Sequence, residues 1–224
     1  RGFEIVQRTS TVLTLLLAYL AVGVGVGILA GLFGVGGGVI IVPILDFSLT
    51  RQGVPHEFIM HLALGTSLAS IVFTSVSSFW SHHKRGAVNW SIVRRIVPGI
   101  LTGTFIGSCI AAQLSTNFLK IFFVVFLYYV AAQMLSGKKP KPTRQLPGIW
   151  GMFGVGNVIG VVSSFVGIGG GSMSVPFMIW CNIAVHQAIG TSAAIGFPIA
   201  IAGAAGYLYN GFNITGLPHG SIGY

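Results

Sequence analysis

The chain has 224 residues, of which 53% are apolar and only 7% carry a formal charge. A globular domain in water usually carries about 25% charged residues, so this composition cannot cover a water-exposed surface. From residue 145 to residue 224 there is no Lys, Arg, Asp or Glu. Such a run excludes a water-soluble fold, a disordered tail and a coiled coil, and it predicts a membrane-embedded protein.

The net charge of +9 would by itself suit a nucleic-acid-binding protein. The basic residues, however, lie in short clusters between long apolar runs and form no amphipathic stripe. Clusters of this kind are typical of the cytoplasmic loops of membrane proteins. We therefore predict a multi-pass protein of the cell (inner, cytoplasmic) membrane without a nucleic-acid partner. Its N-terminus and its loops 82–95 and 137–145 are predicted to be cytoplasmic.

In chain order, the predicted membrane segments are residues 9–45, 58–83, 96–119, 114–135, 147–183 and 186–209. The first segment is longer than the roughly 20 residues of one span but shorter than two spans. The fifth segment resembles it. All of these segments are continuously apolar and do not alternate, so we expect helices and not a β-barrel.

Two motifs occur twice in the same order. The first is glycine-rich, at residues 34–38 (GVGGG) and 167–171 (GIGGG), and the second lies at residues 61–67 (HLALGTS) and 186–192 (HQAIGTS). The separation between copies falls from 133 to 125 residues, which we attribute to a longer loop at about residues 46–55 in the first copy. Two ordered motifs are hard to obtain by chance, so the sequence predicts a duplicated membrane protein.

The predicted fold is therefore an all-α polytopic integral membrane protein made of two homologous repeats. Residues 1–144 form the first repeat with about four spans. Residues 145–224 form the second with about two, and two further spans of roughly 20 residues each are expected to follow. Four spans per repeat would give both the same orientation, whereas a first segment that crosses twice would invert them. The sequence leaves both arrangements open.

Glycine-rich interruptions of the first helix in each repeat are the strongest indication of a site. Four glycines in five residues are easily unwound, and non-helical backbone at membrane depth is tolerated only around a protected cavity. Discontinuous helices at matching places in two repeats indicate a transport site. A helix that restarts there would direct its N-terminal amides at the cavity, which suits an anion. The candidate substrate-binding glycines are Gly34, Gly36, Gly37, Gly38, Gly167, Gly169, Gly170 and Gly171.

Close helix packing is the alternative role for these glycines. Glycines spaced by four residues, as at positions 99, 103 and 107, are typical of helix contacts in membranes.

The second motif adds hydroxyl and imidazole groups. Thr66, Ser67, Thr191 and Ser192 could donate hydrogen bonds to an oxyanion, or could bond a carbonyl one turn earlier in the helix. His61 and His186 are ionisable groups within membrane segments, and such groups are candidates for proton or anion coupling. Both lie near a predicted helix start, so a histidine with satisfied hydrogen bonds at the interface is an equal alternative.

The sequence contains no signature of an enzyme. It lacks a pair of membrane carboxylates, an HExxH motif, Cys/His spacing for a metal and a serine beside a plausible base. No Lys-Ser/Thr follows the glycines, so they are not a nucleotide-binding P-loop. We predict a protein that is not an enzyme and requires no cofactor or metal.

Several segments together resemble the TauE/SafE family of membrane permeases. They are GLFGVGGGVIIVP, its second copy FVGIGGGSMSVP, the paired HxxxGTS segments, HHKRGAVNW and LPHGSIGY. The resemblance implies an exporter of a small sulfur-containing anion such as sulfite or a sulfonate, with a substrate site between the two GxGGG segments and transport by alternating access. A passive anion channel and a non-transporting membrane scaffold or assembly protein stay open as alternatives. The identity of the anion, the direction, ion coupling and the oligomeric state are not determined by the sequence.

Overall fold

The computed structural model describes residues 20, 23–25, 27, 37–136, 145–212, 214, 217 and 224. All regular structure in these residues is α-helical, which confirms the predicted fold class. The helices with defined bounds are α1 (Gly38–Arg51), α2 (His56–Lys84), α3 (Trp90–Ala111), α4 (Thr116–Leu135), α5 (Ile149–Val166), α6 (Gly171–Trp180) and α7 (Val185–Gly211).

Four of these helices, α2, α4, α5 and α7, are long and apolar enough to cross a bilayer. An α-helix rises about 1.5 Å per residue, so the hydrocarbon core of about 30 Å requires about 20 residues. With 14 and 10 residues, α1 and α6 reach only about 21 Å and 15 Å. Neither can span the membrane alone.

The predicted third span, residues 96–119, is wrong at both ends. Helix α3 begins at Trp90 because the Asn89 side-chain oxygen accepts hydrogen bonds from the amides of Ser91 and Ile92, at 3.2 and 3.4 Å. The exposed side chains at positions 94 and 95 allow two arginines inside its second turn. The helix ends at Ala111. Helix α4 follows after a short turn, where the Ser115 side chain accepts a hydrogen bond from the Phe118 amide.

The predicted long loop at residues 46–55 is also wrong. Only residues 52–55 connect α1 to α2, and residues 181–184 make an equally short connection between α6 and α7. The extra residues of the first copy are helical: they lengthen the end of α1 and the start of α2 by about one turn each. A charged side chain is accommodated there because Asp46 of α1 pairs with Lys120 of α4 at 2.8 Å.

Helices α3 and α5 run parallel and pack backbone against backbone. A Cβ atom on Gly99 would overlap the Phe153 carbonyl oxygen, and one on Gly103 would lie 2.5 Å from the Asn157 Cα. Farther along both helices, a Cβ on Gly107 would lie 2.8 Å from the Val161 Cα. The packing role predicted for this glycine stripe is thereby confirmed, since only glycine allows helices this close.

The two helices that carry the Gly-Thr-Ser motif, α2 and α7, run antiparallel. The rings of Phe79 and Phe197 lie 6.3 Å apart near one end of the pair, and Gly65 packs against Tyr207 near the other. Helix α3 is parallel to α7 as well as to α5: Thr104 lies against Gly203, and Ser108 lies against Gly206. The buried core lies where α2, α3, α5 and α7 meet, whereas most apolar side chains of α4 are exposed.

Residues 167–170 form the turn that joins α5 to α6. Helix α6 is antiparallel to α7, because Ser174 contacts Ser192 whereas Gly170 lies near Ile199. The predicted boundary between the repeats, at residues 144 and 145, falls at the edge of the described ranges and stays a prediction.

Candidate functional site

The second glycine segment, residues 167–171, breaks the helix as predicted. Gly167 has φ 67° and ψ 33°, and Gly170 has φ 75° and ψ −4°. Both lie in the left-handed region, which costs other residues about 1–2 kcal/mol. The amides of Gly167 and Ile168 donate to the Ser163 carbonyl at 2.8 and 3.3 Å and close α5 in the manner of a Schellman motif. The chain then restarts as α6 at Gly171.

The first glycine segment, residues 34–38, is described only from Gly37 onward; Gly34 and Gly36 lie outside the described residues. The Gly37 carbonyl accepts hydrogen bonds from the amides of residues 40 and 41, at 3.1 and 2.9 Å, and begins α1. Gly38 is buried, and a Cβ atom there would overlap the carbonyl oxygen of Gly167. The start of α1 therefore touches the turn between α5 and α6.

Helix α1 is antiparallel to α2, because residues 52–55 join them and both Gly38 and Ser67 lie at the Gly167 carbonyl oxygen. Since α2 and α6 are each antiparallel to α7, α1 and α6 run in opposite directions, and both begin at the contact between the two glycine segments. The first amides of an α-helix have no acceptor within the helix, and the positive end of the helix dipole lies there. Among the described residues, no acceptor receives a hydrogen bond from the amide of Gly169, Gly170 or Gly171. The contact therefore concentrates neutral hydrogen-bond donors, which is the arrangement that attracts an anion.

Two of the four predicted hydroxyl groups join the second glycine segment. The Ser67 hydroxyl, fully buried on α2, donates to the Gly167 carbonyl at 2.8 Å. The Ser192 hydroxyl on α7 lies 2.7 Å from the hydroxyl of Ser174, which in turn donates to the Gly170 carbonyl at 2.9 Å. Ser174 was not singled out from the sequence. Its position four residues after Gly170, in the first turn after the break, is the pattern that could have identified it.

The two predicted threonines lie elsewhere. Thr66 is exposed on α2. Thr191 is fully buried, but its hydroxyl accepts a hydrogen bond from the Asn89 amide at 2.9 Å, in the connection between α2 and α3. A Cβ atom on the neighbouring Gly190 would lie 2.6 Å from the Ala87 carbonyl oxygen. In the second copy, the Gly-Thr pair therefore holds a loop, and only its serine reaches the glycine segment.

His61 and His186 occupy different environments despite their matching motifs. His61 is 4% exposed, its Nδ1 lies 3.0 Å from the Glu57 carbonyl oxygen, and its Nε2 lies 3.1 Å from the carbonyl oxygens of both Ala111 and Leu114. His186 is exposed at the start of α7. Six residues separate His61 from Ser67, or about 9 Å along α2, so His61 lies apart from the glycine contact.

A cavity of about 300 Å³ lies beside His61, between the start of α2 and the turn from α3 to α4. Tyr224 borders it and stacks on the His61 ring, with 4.8 Å between ring centroids. Burial and, to a smaller extent, the Glu57 carboxylate raise the pKa of Tyr224, so its hydroxyl stays protonated. Within the described part of the chain no three His, Cys, Asp or Glu side chains are grouped to hold a metal ion.

The chain is similar to a known family of membrane proteins. The model of the family described as sulfite exporter TauE/SafE matches residues 19–223. A "Probable membrane transporter protein" of Haemophilus influenzae is 39% identical over 213 residues, which are 94% of this chain and 80% of the relative. A similarly named protein of Methanocaldococcus jannaschii is 31% identical over 206 residues, covering 88% of this chain and 73% of the relative. YdhB of Bacillus subtilis, also named a probable membrane transporter, is 26% identical over 193 residues, covering 83% and 76%.

No solved structure matches the chain significantly. The relatives carry the names of membrane transporters, consistent with a protein that is not an enzyme and that has a small-molecule substrate and a lipid environment. The family match and the multi-pass helical fold confirm the resemblance found in the sequence motifs: this chain belongs to the TauE/SafE family of membrane transporters.

Proposed function

We propose that this protein exports a small sulfur-containing oxyanion, such as sulfite or a sulfonate, through a site at the contact between the two glycine segments. One observation carries the proposal: α1 and α6 run in opposite directions and both begin where Gly38 meets Gly167. Two helix N-termini then direct their positive ends to one place. The described residues around it offer amides and hydroxyls and no charged side chain, so an anion can be bound and still be released.

The choice of a sulfur oxyanion rests on the family description, sulfite exporter. The local chemistry supports an oxyanion more broadly, because several acceptor oxygens can take hydrogen bonds from backbone amides at helix starts. Export rests on the family description alone. The candidate site residues remain Gly37, Gly38 and the second glycine segment, with Gly34 and Gly36 added from the sequence.

We further propose that the two halves are inverted repeats that work by alternating access. The antiparallel directions of α2 and α7, and of α1 and α6, support this relation. Inverted repeats with interrupted helices at their interface are a known basis for exposing one site to either side in turn. Of the predicted loop at residues 82–95, only residues 85–89 connect helices, because α2 extends to Lys84 and α3 begins at Trp90. The clustered basic residues favour an orientation with this connection and the predicted loop 137–145 in the cytoplasm of a cell membrane.

Flux measurements on the full-length protein in proteoliposomes test the proposal. Radiolabelled sulfite, sulfate, thiosulfate, a sulfonate and acetate are compared, with protein-free liposomes as the control. We expect saturable flux of at least one sulfur oxyanion, stimulated by unlabelled anion on the opposite side. Non-saturating flux without that stimulation would indicate a passive channel. Absence of flux for every anion, in protein shown to be folded, would favour the scaffold alternative.

A further inference from the structure

We propose that Ser67, Ser174 and Ser192 are positioning residues: they fix the backbone of the second glycine segment and do not themselves bind the anion. This inference rests on the proposed function, because it assigns these serines a role at that site. It departs from the sequence-based expectation that Ser67 and Ser192 bind the substrate directly.

The hydroxyl protons of the three serines are all donated within the protein. A serine hydroxyl has one proton to donate. Ser174 donates its proton to the Gly170 carbonyl, which has none to give, so Ser192 must be the donor in the 2.7 Å bond between the two hydroxyls. Ser67 donates to the Gly167 carbonyl. All three protons are thus committed to protein acceptors, and no hydroxyl proton of this group is left for an anion.

These hydrogen bonds fix the orientation of backbone groups in the second glycine segment. In a trans peptide the carbonyl and the following amide point in opposite directions. The Gly170 carbonyl is held toward α6 by the Ser174 hydroxyl and by the amides of Met173 and Ser174, so the Gly171 amide points away from the body of α6. Ser174, with Ser192 bonded to it, therefore helps to hold the direction of the Gly171 amide that the proposed function assigns to the anion. At the other end of the segment, Ser67 holds the Gly167 carbonyl, and the amide that follows, that of Ile168, donates to the Ser163 carbonyl.

The two copies of the glycine motif differ at the position of Ser174. In the sequence repeat, Ile41 occupies the place that Ser174 has in the second copy, and its Cδ1 lies 3.3 Å from the Cβ position of Gly37. The first copy therefore has an apolar side chain at the sequence position where the second copy has a hydroxyl. Ser67, which belongs to the first copy, also serves the second glycine segment. Among the described residues, the hydroxyls of all three serines converge on the second segment.

Hydrogen–deuterium exchange on the full-length protein, without any anion, tests the positioning directly. Ser174→Ala and Ser192→Ala should each increase exchange of the amides in residues 168–174. Ser75→Ala is the matched control, because Ser75 is a buried serine of α2 that bonds only the Val72 carbonyl of its own helix. Ser192→Cys keeps the shape of the side chain but has a larger atom and a weaker donor, and it should give an intermediate increase.

Transport kinetics for sulfite supply the second measurement. Each alanine variant should raise KM by about two- to tenfold, the loss expected for one neutral hydrogen bond, with little change in maximal rate. The double variant should be no worse than Ser174→Ala alone, because both hydroxyls act through one carbonyl. Unchanged exchange in both single variants, together with KM effects that multiply, would show that the serines bind the anion directly and would overturn the inference. Increased exchange in a protein without sulfite flux would support the positioning and contradict the proposed function instead.

Discussion

Replacing Gly38 by alanine is expected to disrupt the contact between the two glycine segments. A Cβ atom at this position would overlap the Gly167 carbonyl oxygen and would lie 3.0 Å from the Gly167 carbonyl carbon and 3.1 Å from the Ile168 Cα. All three are backbone atoms, which cannot rotate away as a side chain can. The start of α1 and the turn between α5 and α6 must therefore move apart.

The expected cost follows from two opposing effects. Extra atoms in a well-packed interior typically cost about 1–3 kcal/mol. Alanine in place of glycine within a helix returns about 1 kcal/mol. The net loss of unfolding free energy should thus be about 0–2 kcal/mol, which leaves a folded protein. Transport should suffer much more, because the two helix starts that are proposed to bind the anion are separated.

Gly154→Ala is the matched control, because Gly154 lies within α5 outside the proposed site and no atom lies within 4 Å of its Cβ position. Both variants are assayed for sulfite flux in proteoliposomes and for thermal unfolding in detergent. We expect Gly38→Ala to reduce flux by more than tenfold and Gly154→Ala to retain most of it. Equal flux in Gly38→Ala and wild type would refute the assignment of the site to this contact.

Three further predictions address the turn, the helix packing and the orientation. Gly170→Ala should lower the free energy of unfolding by about 1–2 kcal/mol through its positive φ and should also abolish most sulfite flux. The control is Gly86→Ala, with φ 66° and no neighbour within 4 Å, which should show a similar thermal shift without the loss of flux. Equal flux in the two variants would contradict a role for Gly170 in transport. Gly103→Ala should lower the thermal midpoint, since its Cβ would lie 2.5 Å from the Asn157 Cα; an unchanged midpoint would show that α3 and α5 tolerate separation. A cysteine at Gln52 should react with a membrane-impermeant thiol reagent in intact cells and one at Arg85 only after lysis, and the reverse labelling would invert the proposed orientation.

The sequence alone determined the class of the protein. The absence of charges after residue 144 and the continuously apolar runs require a helical membrane protein, because lipid cannot satisfy an irregular backbone. The duplicated motifs located the break at residues 167–171, because glycines, which disfavour a helix, are concentrated there within an apolar run. The charge pattern was a weaker guide to boundaries: residues 46–51 were predicted as loop and are helix. Charged side chains are compatible with a helix end when a partner such as Lys120 lies opposite.

Only the tertiary structure decided which side chains meet at the candidate site. Thr66 and Ser67 are neighbours in one motif, yet Thr66 is exposed and Ser67 bonds to Gly167. His61 and His186 match in the repeat, yet only His61 is buried. In a soluble protein the apolar stripe of a helix would have indicated its inner face. Here lipid is as apolar as the protein interior, so hydrophobicity does not distinguish the two faces, and the contacts between helices determine which residues face the site.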